Sequence, residues 1–176
     1  PGTYSLNASS LDENVVVELL LNKKDKDFPD VAVVVSDVEN LKRNLLLFTQ
    51  IKDLNIPTIL VINMSDRMRR KGISIDTHKM EQLLHAKVAL VSARKNEGID
   101  VVKEHIAAYK TLSTQACLDI KKIDQDYFES LERTFSNQSL YKLWLVITQD
   151  VNFAKVERKK MEAENANHMR TPSYLK

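Results

Sequence analysis

Three short runs of consecutive apolar residues alternate with longer stretches in which apolar residues recur at helical spacing. The apolar runs are residues 31–35, 59–62 and 88–91. The stretches with helical spacing are residues 10–22, 40–54, 76–84 and 99–109. A continuous apolar run is typical of a strand that is covered on both faces. Strands that alternate with helices predict an α/β fold with a parallel sheet and right-handed crossovers.

The last third of the chain contains no further strand-like run that is bounded by turns. Its pattern predicts helices over residues 119–135, 140–148 and about 152–168. The composition changes just before residue 114. We therefore predict an α/β domain over residues 1–113 and a small all-α subdomain over residues 114–176.

Short polar segments follow the second and third predicted strands. Asn63 and Asp66 come after residues 59–62, and Ser92 begins a second polar segment after residues 88–91. Open α/β sheets bind ligands beyond the carboxyl ends of their strands. We therefore expect these two segments to converge and to form a ligand pocket.

The side chains in these segments favour a purine base with a particular edge. An ionised Asp66 offers two acceptors in one plane, and Asn63 offers both a donor and an acceptor. Guanine presents two adjacent donors, its ring N–H and its amino group, whereas adenine presents a bare ring nitrogen there. A mismatch would leave buried polar groups unpaired, so such a site would discriminate strongly. The alternative is that Asn63 and Asp66 close a turn by bonding their own backbone.

Composition and charge exclude several other classes of protein. Of the 176 residues, 43% are hydrophobic and 28% are charged, a balance typical of soluble globular domains. The net charge of +2 is too small to indicate a nucleic-acid or membrane surface by itself. Cys117 is the single cysteine, so the chain has no internal disulfide and no thiolate cluster for zinc. No apolar stretch approaches the roughly 20 residues that cross a bilayer.

Two charged segments allow two interpretations each. The basic cluster at residues 67–71 could attract phosphate, but we predict a solvated loop. Glu162, Glu164 and His168 could be metal ligands, but their pattern favours a charged outer helix face, so we assign no metal site. Pro1 stands where a full protein would begin with methionine, and we expect the chain to begin partway through a longer protein.

Four motifs together resemble the cytoplasmic GTPase domain of ferrous iron transport protein B. They are Pro1-Gly2-Thr3-Tyr4-Ser5-Leu6, Arg43-Asn44-Leu45, Asn63-Met64-Ser65-Asp66 and Ser92-Ala93-Arg94. The resemblance covers residues 1 to about 110 well, and it covers the helical tail more loosely, with the best match around residues 141–145. It implies the last three strands and flanking helices of a P-loop GTPase-type sheet, followed by a helical subdomain.

The resemblance also implies roles for individual residues. The guanine pocket would consist of Asn63, Met64, Ser65, Asp66, Ser92, Ala93 and Arg94. Asn63 and Asp66 would hold the base, Met64 would supply apolar contact, and the Ala93 N–H would face the guanine oxygen. Pro1, Gly2 and Thr3 would belong to the second switch. The N–H of Gly2 would sense the γ-phosphate there.

The catalytic part of such a domain is missing from this sequence. It contains no G-x-x-x-x-G-K-[ST] phosphate loop, and positioning and charge stabilisation by such parts provide most of the catalysis of phosphoryl transfer. The resemblance thus implies a GTP- or GDP-binding regulatory portion of a ferrous iron transporter, with Mg²⁺ bound only in the complete domain. Hydrolysis in the full protein would gate Fe²⁺ uptake, no residue here is assigned as catalytic, and we expect the segment alone to be inactive.

The implied location is the cytoplasmic face of the inner (cell) membrane, and the implied partner is the membrane-embedded transport domain of the same protein. One alternative is a non-catalytic regulatory or interaction module. Another is a ribosome-assembly-type GTPase with an RNA-binding tail. The glutamates interspersed among the basic residues of the tail give that second alternative little support, so no nucleic-acid partner is expected.

The resemblance has a consequence for the edge of the sheet. In this architecture another strand lies beside residues 31–35, and without it a long apolar strand becomes an open edge, which promotes pairing with other chains. We predict that this edge is covered by another chain, by an N-terminal segment or by a rearranged element. Self-association through the edge follows as a possible consequence.

Overall fold

The computed structural model describes residue 6, residues 11–148, residue 159, residues 161–163 and residue 166, with only the backbone described for residues 11–14. The chain divides into two compact units, one ending at Leu118 and the other beginning at Asp119. This division lies slightly beyond the predicted boundary of 113/114. Asp53 explains the difference, because its Oδ1 accepts the backbone N–H groups of Cys117 (2.6 Å) and Leu118 (3.0 Å) and attaches them to the first unit.

The first unit is built on a three-stranded parallel sheet, which confirms the predicted fold class. The strands are β1 (Ala32–Asp37), β2 (Thr58–Asn63) and β3 (Lys87–Leu90), in the order β1-β2-β3. The central strand is the most buried, since its residues 58–62 are all buried. Apolar runs without polar interruption have become strands because helices cover both faces of the sheet centre.

The helices of the first unit are α1 (Leu11–Leu21), α2 (Leu41–Asp53), α3 (Ser65–Arg70), α4 (Thr77–Leu84) and α5 (Ile99–Ala107). Short 3-10 turns lie at Ala93–Lys95 and Tyr109–Thr111. The side chain of Asp76 accepts the Lys79 N–H (2.9 Å) and so caps the start of α4. One core cluster joins Ile59, Val61, Ala89 and Val91, with Ile99 and Val102 of α5 packed against it.

The prediction of a solvated loop at residues 67–71 was wrong, because most of this segment belongs to α3. Arg67 and Lys71 form ion pairs with Glu39 beyond β1, and Arg69 forms one with Glu97 beyond β3. A helix of six residues is too short to show hydrophobic periodicity in sequence. Carboxylates from two other loops hold its basic side chains.

Strand β1 lies at one edge of the sheet. Among the residues that the structure describes, it pairs only with β2, and Val33 and Val35 are exposed. No described residue pairs with the outer side of β1, and cover by a rearranged element stays a prediction. Cover by another chain or by an N-terminal segment stays a prediction.

The second unit is helical over its described residues. It contains a 3-10 turn (Ile120–Lys122), α6 (Gln125–Thr134) and α7 (Leu140–Thr148), and Leu143, Val146 and Met161 form its core cluster. The single helix predicted over residues 119–135 was wrong in its start, because Asp124 accepts the Tyr127 N–H (3.0 Å) and begins α6 there. The helix predicted over residues 152–168 lies largely outside the described residues.

Two further findings concern the described residues alone. None of their helices is long and apolar enough to cross a membrane. Glu162 is exposed, and Glu164 and His168 lie outside the described residues.

Candidate functional site

The site begins where β2 ends. Asn63 is the last residue of the strand, and Met64 turns the chain with a left-handed backbone (φ 63°, ψ 33°) into α3. The Asn63 Oδ1 atom accepts the N–H of Met64 (2.8 Å) and stabilises this turn. The same oxygen accepts the N–H of Ala93 at 3.1 Å, across 30 positions of sequence. One amide side chain therefore both shapes its own loop and attaches the loop beyond β3.

The carboxylate of Asp66 is the most buried charge of the site. The residue lies in the first turn of α3 and is only 8% exposed. Its Oδ1 accepts the Ser92 hydroxyl (3.0 Å) and its Oδ2 accepts the Arg94 guanidinium (3.1 Å). Arg70 forms a longer ion pair with the same Oδ2, at 3.6 Å. The hydrogen bond from Ser92, followed by the charge and hydrogen bond of Arg94, lowers the pKa of Asp66, so the carboxyl is ionised at neutral pH.

The loop beyond β3 has a fixed backbone. Ser92 and Glu97 exchange two backbone hydrogen bonds, at 3.0 and 3.1 Å, and these close the 3-10 turn between them. Gly98 follows with φ +76°, and a Cβ there would overlap the Leu90 carbonyl oxygen. Only glycine fits this conformation and this close approach without strain. The loop is thereby held with Ser92 buried and Ala93 at the surface.

Backbone bonds also join the two loops directly. The Val91 N–H donates to the Ile62 carbonyl (2.9 Å), and the Ser65 N–H donates to the Val91 carbonyl (3.0 Å). The pairing of β2 with β3 is thus extended past the ends of both strands. The predicted convergence of the two loops is confirmed by these bonds and by the contact between Asp66 and Ser92.

The structure places the predicted pocket residues as follows. Asn63, Asp66, Ser92, Ala93 and Arg94 are joined by side-chain hydrogen bonds. Ser65 is buried and acts through its backbone, while Met64 is 38% exposed on the loop between β2 and α3. Pro1, Gly2 and Thr3, predicted to belong to a phosphate-sensing switch, lie outside the described residues.

Three contributors were missed from sequence, namely Arg70, Glu97 and Gly98. Arg70 stands four positions after Asp66, so recognition of α3 as a helix would have placed it beside the carboxylate. Glu97 and Gly98 position the loop beyond β3 through their backbones. In the sequence, the only signal of this role is a glycine that follows a polar turn.

The described residues offer no fit for a magnesium ion. No group of three or more His, Cys, Asp or Glu side chains among them could hold a metal. Asp66, the carboxylate of the site, is already engaged by a hydroxyl and a guanidinium. We therefore assign no step to a metal here. Asn63 uses its oxygen for both bonds, so its amide nitrogen can donate to a ligand.

A parallel sheet with flanking helices, in which an Asn-x-x-Asp loop meets a Ser-Ala-Arg loop at the strand ends, is the architecture of part of a GTPase-type α/β domain. Comparison with known proteins identifies the family. The family description "Ferrous iron transport protein B" matches residues 1–106, and the chain belongs to that family.

The relatives are much longer than this chain. It is 36% identical over 103 residues to the Fe(2+) transporter FeoB of Leptospira biflexa, which covers 58% of this chain and 14% of that protein. It is 32% identical over 160 residues to the Fe(2+) transporter FeoB of Helicobacter pylori strain 26695. That match covers 89% of this chain and 24% of that protein. The chain therefore spans less than a quarter of these relatives' length.

Solved structures show the same relationship. The cytosolic domain of the T. maritima FeoB iron transporter in a GDP form is 27% identical with a TM-score of 0.77, and the match covers 92% of this chain and 65% of that one. The FeoB G-domain from Methanococcus jannaschii is 37% identical with a TM-score of 0.57, and the match covers 62% of this chain and 67% of that one.

Proposed function

We propose that this chain is the guanine-nucleotide-binding regulatory portion of a ferrous iron transporter. The observation that carries the proposal is the buried, ionised carboxylate of Asp66, fixed by Ser92 at the point where two strand-end loops meet. The family supports it, because solved relatives include the T. maritima FeoB cytosolic domain in GDP and GMPPNP forms.

The carboxylate sets the choice of base. Both Asp66 oxygens lie in one plane and can accept the ring N–H and amino N–H of guanine together. Adenine would direct a lone pair at the same carboxylate and would leave it unpaired. The guanine carbonyl oxygen can replace the Asn63 side chain as acceptor of the Ala93 N–H, and Met64, between β2 and α3, is exposed enough to contact the base. Ser65 and Arg94 complete the pocket.

The proposal for the whole protein goes further. GTP hydrolysis in the longer protein would gate Fe²⁺ uptake at the cytoplasmic face of the membrane, with the membrane-embedded transport part as partner. This sequence contains no phosphate-loop motif, so we propose that the chain recognises nucleotide without hydrolysing it by itself. Pro1, Gly2 and Thr3 would sense the γ-phosphate once the phosphate-binding parts are supplied.

The test compares bases with a matched pair of variants. Guanosine and adenosine are titrated against the chain, and GDP and ADP against the full-length transporter, each as wild type, Asp66→Ala and Asp66→Asn. The wild type should prefer guanine by at least about tenfold, and Asp66→Ala should remove the preference. Asp66→Asn replaces one acceptor by a donor, so it should shift preference to xanthosine, which carries a carbonyl in place of the amino group. Equal binding of guanosine and adenosine by the wild type would refute the proposal.

A further inference from the structure

Both oxygens of Asp66 are already engaged by the protein itself. A carboxylate offers about four acceptor positions. One on Oδ1 is taken by the Ser92 hydroxyl and one on Oδ2 by the Arg94 guanidinium. Arg70 also approaches Oδ2, at 3.6 Å. A ligand N–H that binds Oδ2 must therefore compete with two guanidinium groups for that oxygen.

Arg94 is the donor that guanine would replace. The ring N–H, the C2 carbon and the amino group of guanine form a guanidine-like unit with two parallel N–H donors. The arginine side chain presents a planar fork of the same type. Guanine would bind both oxygens of Asp66, and one of its two N–H groups would meet Oδ2, the oxygen that already accepts Arg94 at 3.1 Å.

We propose that the Arg94 side chain is an internal competitor for the base-recognition carboxylate, and that its release from Asp66 sets the affinity for guanine. The inference rests on the proposed function and adds a role that opposes binding. Arg94 thus belongs to the pocket as a residue that guanine displaces, and its guanidinium mimics the edge that Asp66 selects.

The exposure of the two partners supports this role. The Asp66 side chain is 9% exposed, so its charge requires a partner at all times. The Arg94 side chain is 73% exposed on the turn beyond β3, so it can return to water at little cost. Because the Arg94 partner is exposed, the ion pair reduces the competent fraction of the site modestly, and its removal should tighten guanosine binding by about two- to fivefold.

The test uses guanosine, because a neutral nucleoside is not attracted or repelled by the loss of one positive charge. Binding to wild type, Arg94→Ala and Arg94→Gln is measured by ligand-observed NMR, with adenosine as the base control. Both variants should bind guanosine about two- to fivefold more tightly than wild type. Added salt weakens the ion pair between Arg94 and Asp66. The wild-type affinity should therefore rise with salt, while the affinity of the variants should stay level.

Lys95→Ala is the matched control. It removes the same charge from the neighbouring position, but Lys95 pairs with Glu97 at 4.0 Å and not with Asp66. Its guanosine affinity should equal that of wild type. Unchanged or weaker binding by both Arg94 variants, or an equal gain in Lys95→Ala, would overturn the inference. Such a result leaves the proposed function intact if Asp66→Ala still abolishes the preference for guanosine. Loss of all base preference in the wild type would instead sink the proposed function.

Discussion

Gly98 should be one of the positions least tolerant of a side chain, because two independent constraints meet there. Its φ of +76° is a backbone conformation that costs an L-residue about 1–2 kcal/mol. In Gly98→Ala, the added Cβ would also overlap the Leu90 carbonyl oxygen. The Cβ position is fixed by the backbone and the carbonyl oxygen is itself a backbone atom, so no rotamer change can relieve the overlap, and the loop must move away from β3.

That movement would break the bonds that position the loop beyond β3. The two backbone bonds between Ser92 and Glu97 immediately precede Gly98, and each such bond contributes about 1 kcal/mol. We expect Gly98→Ala to lower the free energy of unfolding of the first unit by about 3–4 kcal/mol, and to weaken guanosine binding because Ser92 shifts away from Asp66.

Gly72→Ala separates the two causes. Gly72 has a similar φ of +67°, but a Cβ there would meet no atom within 4 Å, so this variant should lose only about 1–2 kcal/mol. Urea unfolding followed by circular dichroism measures both losses. Tryptophan fluorescence is less suitable, because Trp144 belongs to the second unit. If Gly98→Ala cost no more than Gly72→Ala, the close approach would have no energetic effect and the reasoning would be refuted.

Three further predictions concern aspartates with different roles. Asp53→Ala should lower the free energy of unfolding in urea by about 2–4 kcal/mol and speed alkylation of Cys117, since it leaves two part-buried N–H groups without their acceptor. Asp53→Asn keeps an acceptor, so an equal loss in both variants would contradict this. Asp76→Ala should lower the free energy of unfolding by about 1 kcal/mol in the same assay, and Asp76→Asn should lower it much less, because only the alanine variant removes the helix cap. Equal losses in the two variants would argue against capping. The pKa of Asp66 is lowered below its ordinary value of 3.8. The ionised carboxylate should therefore stabilise the fold fully above pH 3.8, and this stabilisation should be lost as the pH falls through the lowered pKa. In an NMR titration Ser92→Ala should raise this pKa, and an unchanged value would show that the hydroxyl does not stabilise the charge.

The parts of the fold that could be predicted from sequence are those with a strong local signal. The three apolar runs became β1, β2 and β3 because short runs rich in β-branched residues favour strands, and the central strand β2 is buried along most of its length. The cap at Asp76 was predictable for the same reason, since a capping side chain acts within three residues. Helix α3 was missed because six residues do not complete two turns, and its ion pairs come from loops far away in sequence.

The sequence by itself determined which chemical groups follow each strand, and so predicted that Asn63, Asp66 and Ser92 would share one end of the sheet. Only the tertiary structure decided how those groups use their hydrogen-bonding capacity. The contact of Asp66 with Arg94 joins residues 28 positions apart, and a backbone turn at Gly98 holds the second loop in place. A carboxylate pairs with whichever donors the folded chain brings nearest. The distance between carboxylate and donor depends on strand register and on how the loops close.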